Sequence, residues 1–124
     1  MARILLIDDE PDIRAVVRIL LEPYGHEVLL GEDGLRGFGM AQHQRPDVIL
    51  LDLMMPILDG HAALQMIRGD ERTSHIPVVV LTAVSQRAVH DRCMLEGADR
   101  VLTKPFDPDD LAGAIDEVLA AGHP

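Results

Sequence analysis

The sequence predicts an α/β fold in which an open, doubly wound parallel sheet of five strands carries five helices on its two faces. Three observations lead there. Arg3–Ile7, residues 47–53 and Val78–Thr82 are short, nearly continuous runs rich in Ile, Val and Leu, the composition of strands buried on both sides. Between such runs, apolar residues recur at helical spacing, as in Ile13, Val16, Val17 and Leu20. The two patterns alternate along the chain, and parallel neighbours require crossover connections of the kind a helix supplies.

In chain order, the first strand runs to Ile7 and is halted by Asp8, and the first helix follows on the stripe just named. A second strand is expected at residues 26–30, then a helix at about residues 35–43 that contains Gly37 and Gly39. Each such glycine costs about 1 kcal/mol relative to Ala in a helix interior. The third strand closes around Asp52, and Asp59 with Gly60 reads as a turn before a helix over residues 60–69. The fourth strand ends at Thr82, a helix follows at residues 86–95, and a short fifth strand at residues 99–102. The last helix has the clearest start. Asp107 can cap it, Pro108 suits its first position, and Asp109 and Asp110 favour the positive end of its dipole, while Leu111, Ile115, Val118 and Leu119 form its apolar face. Residues 120–124 are expected to fray.

A chain of 124 residues suits one domain with one sizeable core, so residues 1–124 are read as a single domain without internal repeat or low-complexity linker. With no Trp, and only Tyr24, Phe38 and Phe106 as aromatics, that core must be aliphatic. Lys and Arg total 11 against 21 Asp and Glu, a net charge of -10, and no basic run is present to neutralise phosphates, so direct nucleic-acid binding is not expected. The lone Cys93 cannot form an intramolecular disulfide, and the apolar start is too short for a signal peptide. No apolar run approaches the ~20 residues of a membrane-spanning helix. A cytoplasmic protein without membrane insertion is the expectation. The six His residues show no H-x-H or H-E-x-x-H spacing and are expected as surface or half-buried imidazoles rather than zinc ligands, with Cys93 as core filler. Gly31, Gly34, Gly37 and Gly39 do not spell a dinucleotide-binding fingerprint.

Open sheets of this kind bind ligands at the carboxyl ends of their strands. Asp8 and Asp9 follow the first strand, Asp52 closes the third, Thr82 closes the fourth, and Lys104 comes just after the fifth. Carboxylates gathered at one edge repel, a pair at ~4 Å costing about 4 kcal/mol at an effective dielectric of about 20. A bound cation relieves this. Magnesium suits hard carboxylate oxygens better than zinc does. Lys104 can neutralise further charge and meet a phosphoryl oxygen, and the Thr82 hydroxyl can donate to a second. Asp52 then becomes a candidate nucleophile for in-line phosphoryl transfer, and the small Ala83 leaves room for the group and for its own backbone N–H to approach.

Four stretches carry a family resemblance: Ile7-Asp8-Asp9-Glu10, the run from Asp52 to Gly60 (Asp-Leu-Met-Met-Pro-Ile-Leu-Asp-Gly), Thr82-Ala83, and Lys104-Pro105-Phe106. In this order and spacing the chain resembles the receiver domain of bacterial two-component response regulators over essentially its whole length. The resemblance implies a flavodoxin-like sheet of strand order 2-1-3-4-5. It implies that Asp52 accepts a phosphoryl group from a sensor histidine kinase or histidine phosphotransfer protein. It further implies that Asp9 and Asp52 ligate Mg2+ directly, Asp8 acts mainly through metal-bound water, and Met54 offers its backbone carbonyl. Thr82, Lys104 and the Ala83 N–H would hold the phosphoryl group, and Lys104-Pro105 would be cis. An output domain or downstream protein would read the change on the face of the fourth helix, fifth strand and fifth helix.

Two departures bear on behaviour. Receivers commonly place a Tyr or Phe three residues before the Lys, where this chain has Val101, so the usual coupling of Thr82 to a swinging ring is not expected. The shift is expected to be carried by Thr82 and the loop after it, with smaller amplitude. The positions flanking the path of an attacking water are Met54 and Val84, neither of which orients water, which implies a long phosphoryl lifetime. The leading function is thus a phosphorylation-gated binding module whose catalysis is limited to its own phosphorylation and dephosphorylation. A magnesium-dependent phosphohydrolase would place a second acid where Met54 stands. A docking domain that is never phosphorylated would not need the retained acidic, hydroxyl and Lys positions.

Overall fold

The computed structural model describes residues 2–123. Its elements follow the order β1 (Arg3–Ile7), α1 (Pro11–Leu21), β2 (Glu27–Gly31), α2 (Gly34–Gln44), β3 (Val48–Asp52), α3 (Gly60–Gly69), β4 (Val78–Thr82), α4 (Arg87–Leu95), β5 (Arg100–Thr103) and α5 (Pro108–Ala121). All strand pairs are parallel, in the order β2-β1-β3-β4-β5. This is the flavodoxin-like sheet that the resemblance implied.

Strand periodicity divides the core in two. Ile4 and Leu6 of β1 point to the face covered by Val17 and Leu21 of α1 and by Leu111, Ile115 and Val118 of α5. Leu5 and Ile7 point to the opposite face, against Ala41 of α2, Ala63, Leu64 and Ile67 of α3, and Cys93 of α4. Both faces are covered, so β3 and β4 are buried at every residue. Hence their sequences read as unbroken apolar runs rather than as alternating ones.

Several boundaries and faces differ from expectation. β2 and β5 are shifted one residue toward the C-terminus, and a 3₁₀ turn at Glu22–Tyr24 closes α1 before Gly25 at φ 84°. The buried edge of α1 is carried by Val17 and Leu21, leaving Val16 exposed. On α5, Ala114 joins the buried stripe and Leu119 turns outward. Asp107 precedes α5 without a side-chain capping bond, whereas Asp33 accepts from the Arg36 N–H and Asp59 from the Ala62 N–H. Asp59 is therefore the cap of α3 as well as a turn residue. The expected fraying does not start at residue 120: α5 continues to Ala121, and His123 Nδ1 lies 2.8 Å from Asp99 Oδ1. Pro124 lies outside the described residues.

The two glycines of α2 have different reasons to be there. A Cβ on Gly37 would stand 2.6–2.7 Å from three side-chain atoms of Ile7, so this position lets α2 lie close on β1. Gly39 has nothing within 4 Å of such a Cβ. Gly39→Ala is accordingly expected to stabilise the fold by about 0.5–1 kcal/mol in urea denaturation, through helix propensity and a less flexible unfolded chain.

Candidate functional site

Strand register brings the candidate residues to one edge. Ile7 is opposite Leu51, Asp52 opposite Leu81, and Thr82 opposite Thr103, so Asp8, Asp52, Thr82 and Lys104 leave four adjacent strands at the same level. Lys104 follows β5 directly, and its peptide bond to Pro105 is cis, as the resemblance implied.

Asp8 is fully buried. Its Oδ1 accepts the Glu10 N–H at 2.8 Å, closing a local turn, and its Oδ2 lies 3.1 Å from Lys104 Nζ. Asp52 is also buried, with Oδ1 3.3 Å from both Lys104 Nζ and the Met54 N–H. Its Oδ2 is buried with no hydrogen-bond partner among the described residues. Such an orphaned carboxylate oxygen is costly and marks a place prepared for something else.

The electrostatics follow from burial. Desolvation, reinforced by the charge of Asp8, pushes the Asp52 carboxyl up to about 6, against the pull of Lys104 and the Met54 N–H. Burial also raises the Asp8 carboxyl, although the Glu10 N–H and Lys104 oppose it. Burial alone would lower the Lys104 ammonium, but Asp8 and Asp52 outweigh it and hold the group above its usual value. At neutral pH the centre therefore holds a buried cation between carboxylates that outnumber it.

The structure gathers a slightly different acidic set from the one the sequence suggested. Carboxylate oxygens of Asp8, Glu10 and Asp52 all lie within 4.8 Å of one another, and Glu10 Oε1 stands 3.6 Å from Lys104 Nζ. Asp9 is half-buried and outside this group. The physical reason is the turn closed by Asp8, which brings the longer Glu10 side chain back over the edge. An acidic residue next to a predicted ligand pair was the signal available for Glu10.

Thr82 is fully buried, and its Oγ1 accepts the Val84 N–H at 3.1 Å, leaving its own O–H to donate. Ala83 and Met54 are exposed, and Val84 is half-buried. Val101 is half-buried on the face of the sheet covered by α3 and α4. Nearby, His90 of α4 reaches toward the loop after Thr82: its Nε2 lies 2.7 Å from the Val84 carbonyl oxygen and 3.5 Å from Thr103 Oγ1. The loop after β3 is also constrained, since Ile57 adopts φ 70° in a turn where the Leu58 N–H donates to the Pro56 carbonyl at 2.8 Å. A β-branched residue rarely adopts that conformation.

Chemically, the described residues of the edge offer hard oxygen donors, the Lys104 ammonium, the buried Thr82 hydroxyl and, among those residues, a carboxylate oxygen of Asp52 without a partner. That donor set fits magnesium, which takes one or two carboxylates and keeps waters and phosphate oxygens, and it lacks the thiol and imidazole ligands characteristic of structural zinc sites.

Comparison with known proteins agrees with this geometry. A family model described as the response regulator receiver domain matches residues 4–116. Protein PilH of Pseudomonas aeruginosa is 40% identical over 120 residues, covering 97% of this chain and 99% of PilH. The DNA-binding dual master transcriptional regulator RpaA of Synechocystis sp. is 44% identical over 119 residues, or 96% of this chain and 49% of RpaA. The chain thus spans about half of RpaA and nearly all of PilH. Among solved structures, the receiver domain of the P. aeruginosa sensor histidine kinase PA1611, described with magnesium in its active-site cleft, superposes with TM-score 0.88 at 32% identity, over 96% of this chain and 98% of that one. The Vibrio cholerae chemotaxis protein CheY4 gives TM-score 0.89 at 31% identity, over 95% and 98%. No helix among the described residues is long and apolar enough to cross a membrane. Sequence, sheet order and relatives agree, and the chain belongs to the response regulator receiver family, whose general function is phosphorylation-dependent switching in two-component systems.

Proposed function

We propose that Asp52 is the phosphoacceptor of this receiver and that magnesium is required for the reaction. The observation that carries this reading is the buried Oδ2 of Asp52, which has no partner among the described residues, on a carboxylate whose other oxygen already faces Lys104. In the transfer, an Asp52 oxygen forms the new O–P bond while the donor's bond to phosphorus breaks and its electron pair leaves with the donor group. Asp52, Asp9 and the Met54 carbonyl would hold the ion, with Asp8 acting mainly through metal-bound water, and the ion would supply positive charge against the phosphoryl oxygens. Lys104 neutralises the product at a second oxygen. The Thr82 O–H and the Ala83 N–H donate to the rest. Without the ion, burial and the charge of Asp8 push the Asp52 carboxyl up to about 6; a cation bound beside it would draw it back down and keep it ionised for attack.

The donor is a sensor histidine kinase or histidine phosphotransfer protein, as the family's general function requires. Output passes through α4, β5 and α5 to another domain or protein. His90, which touches the Val84 carbonyl and Thr103, links the loop after Thr82 to that face where Val101 has no ring to swing. The chain acts on no substrate beyond its own phosphoryl group, binds no nucleic acid directly given its net charge of -10, and works in the cytoplasm.

Incubation with magnesium and acetyl phosphate, followed by intact mass, tests the assignment. A single added phosphate is expected on the wild type and none on Asp52→Asn. Equal labelling of both, or of neither, would overturn it. The same adduct is expected to persist, because Met54 and Val84 do not orient water. Met54→Asn should shorten its half-life several-fold, and rapid loss that this substitution leaves unchanged would contradict the role given to Met54.

A further inference from the structure

The histidines show no metal-ligand spacing along the sequence and Cys93 sits in the core as expected, yet the fold brings His61 beside Cys93 and Glu96. A ring nitrogen of His61, the Cys93 Sγ and a carboxylate oxygen of Glu96 all lie within 4.8 Å of one another. His61 is in the first turn of α3, while Cys93 and Glu96 are three residues apart on α4 and its C-terminal cap, so the group bridges two helices. It lies outside the acidic edge and shares no residue with it.

The three side chains are already oriented. His61 Nδ1 contacts Glu96 Oε1 directly. The other Glu96 oxygen, Oε2, is held 3.5 Å from Arg92 Nε and 3.5 Å from Gln65 Nε2, which leaves Oε1 facing the histidine. Cys93 is fully buried, and the side chains of His61 and Glu96 are only 17% and 15% exposed. We propose that His61, Cys93 and Glu96 form a binding site for a borderline-soft divalent cation of the zinc type, fixing α4 to α3.

The ligand chemistry selects the ion. One imidazole nitrogen, one sulfur and one carboxylate oxygen are the donors that zinc and cobalt accept, whereas magnesium prefers an all-oxygen shell such as the acidic edge provides. Three protein ligands leave a fourth tetrahedral position for water. Arg92 and Gln65 supply the outer hydrogen bonds that orient a ligating carboxylate. The site closes by small side-chain movements: the cation replaces the proton between His61 Nδ1 and Glu96 Oε1, which passes to the other ring nitrogen or to solvent, and the Cys93 thiol releases its proton to solvent. Burial raises the Cys93 thiol, so the metal, not the surroundings, must stabilise the thiolate.

Cobalt(II) is the probe, titrated into the full chain with magnesium in excess to saturate the acidic edge. Binding of one cobalt per chain is expected, with the intense near-ultraviolet thiolate-to-cobalt band and the visible bands of a tetrahedral ion. The thiolate band should vanish in Cys93→Ser, and affinity should fall at least tenfold in His61→Gln, whose more accessible position makes misfolding less of a risk. Asp52→Asn should retain both signals. Circular dichroism checks that each variant is folded. Absence of binding by the folded wild type, cobalt bound without a thiolate band, or loss of the signals in Asp52→Asn would each overturn the site.

Discussion

Lys104→Ala is expected to destabilise the metal-free protein by about 3 kcal/mol near pH 7, because breaking a buried ion pair leaves uncompensated charge. Lys104 is 3.1 Å from Asp8, 3.3 Å from Asp52 and 3.6 Å from Glu10, and the first two carboxylates are buried. The deficit should depend on pH in a definite direction. Asp52 in the folded chain is raised from 3.8 to about 6, so its ionisation opposes folding; this cost is fully present above about 6 and disappears as pH falls toward 4. Removing Lys104 raises Asp52 further, and the variant should therefore recover much of its lost stability between about pH 7 and pH 5. Lys104 itself is raised, so its own contribution is lost only in the alkaline range, as pH climbs through its folded value. Urea denaturation of wild type and variant in chelator at the two pH values checks both points. A deficit that is constant with pH would mean that Lys104 acts through packing alone.

Gly60→Ala should cost about 2–4 kcal/mol and depress phosphorylation together with stability. The residue opens α3, and its N–H donates to the Leu53 carbonyl at 2.9 Å. An added Cβ would stand 2.5 Å from the Asp52 carbonyl oxygen and 2.6 Å from Leu53 Cα. These are backbone atoms that cannot rotate aside as a side chain does. Relief requires moving the segment that carries Asp52, so the substitution links the loop to the acceptor carboxylate. Thermal unfolding and acetyl phosphate labelling of the same preparation measure the two effects. A stable variant with undiminished labelling would show that the loop yields without disturbing Asp52.

Much of the architecture was legible because it is written in local patterns. Burial on both faces forces unbroken aliphatic strands, as in Val78–Thr82, and the crossover requirement forces helices between them. The acidic, hydroxyl and Lys positions were legible because strand ends in such sheets converge on one edge. Errors of a residue or two arose where local signals are weak. Val16 lay on the expected face of α1, but the packing of the helix placed Leu21 there instead. Asp107 had the chemistry of a cap, yet its side chain makes no capping bond.

By itself, the sequence determined the fold class, the strand order through its resemblance, and the positions of Asp8, Asp52, Thr82 and Lys104 at the strand ends. Only tertiary structure decided that Glu10 rather than Asp9 closes the acidic group in this arrangement, that Gly37 is there to let α2 approach Ile7, and that His61 meets Cys93 and Glu96. The reason is one of range. Strand and helix periodicity is a property of neighbouring residues, whereas these contacts depend on the angle of a turn, the distance between a helix and a sheet, and the register of α3 against α4. No spacing along the chain encodes those quantities.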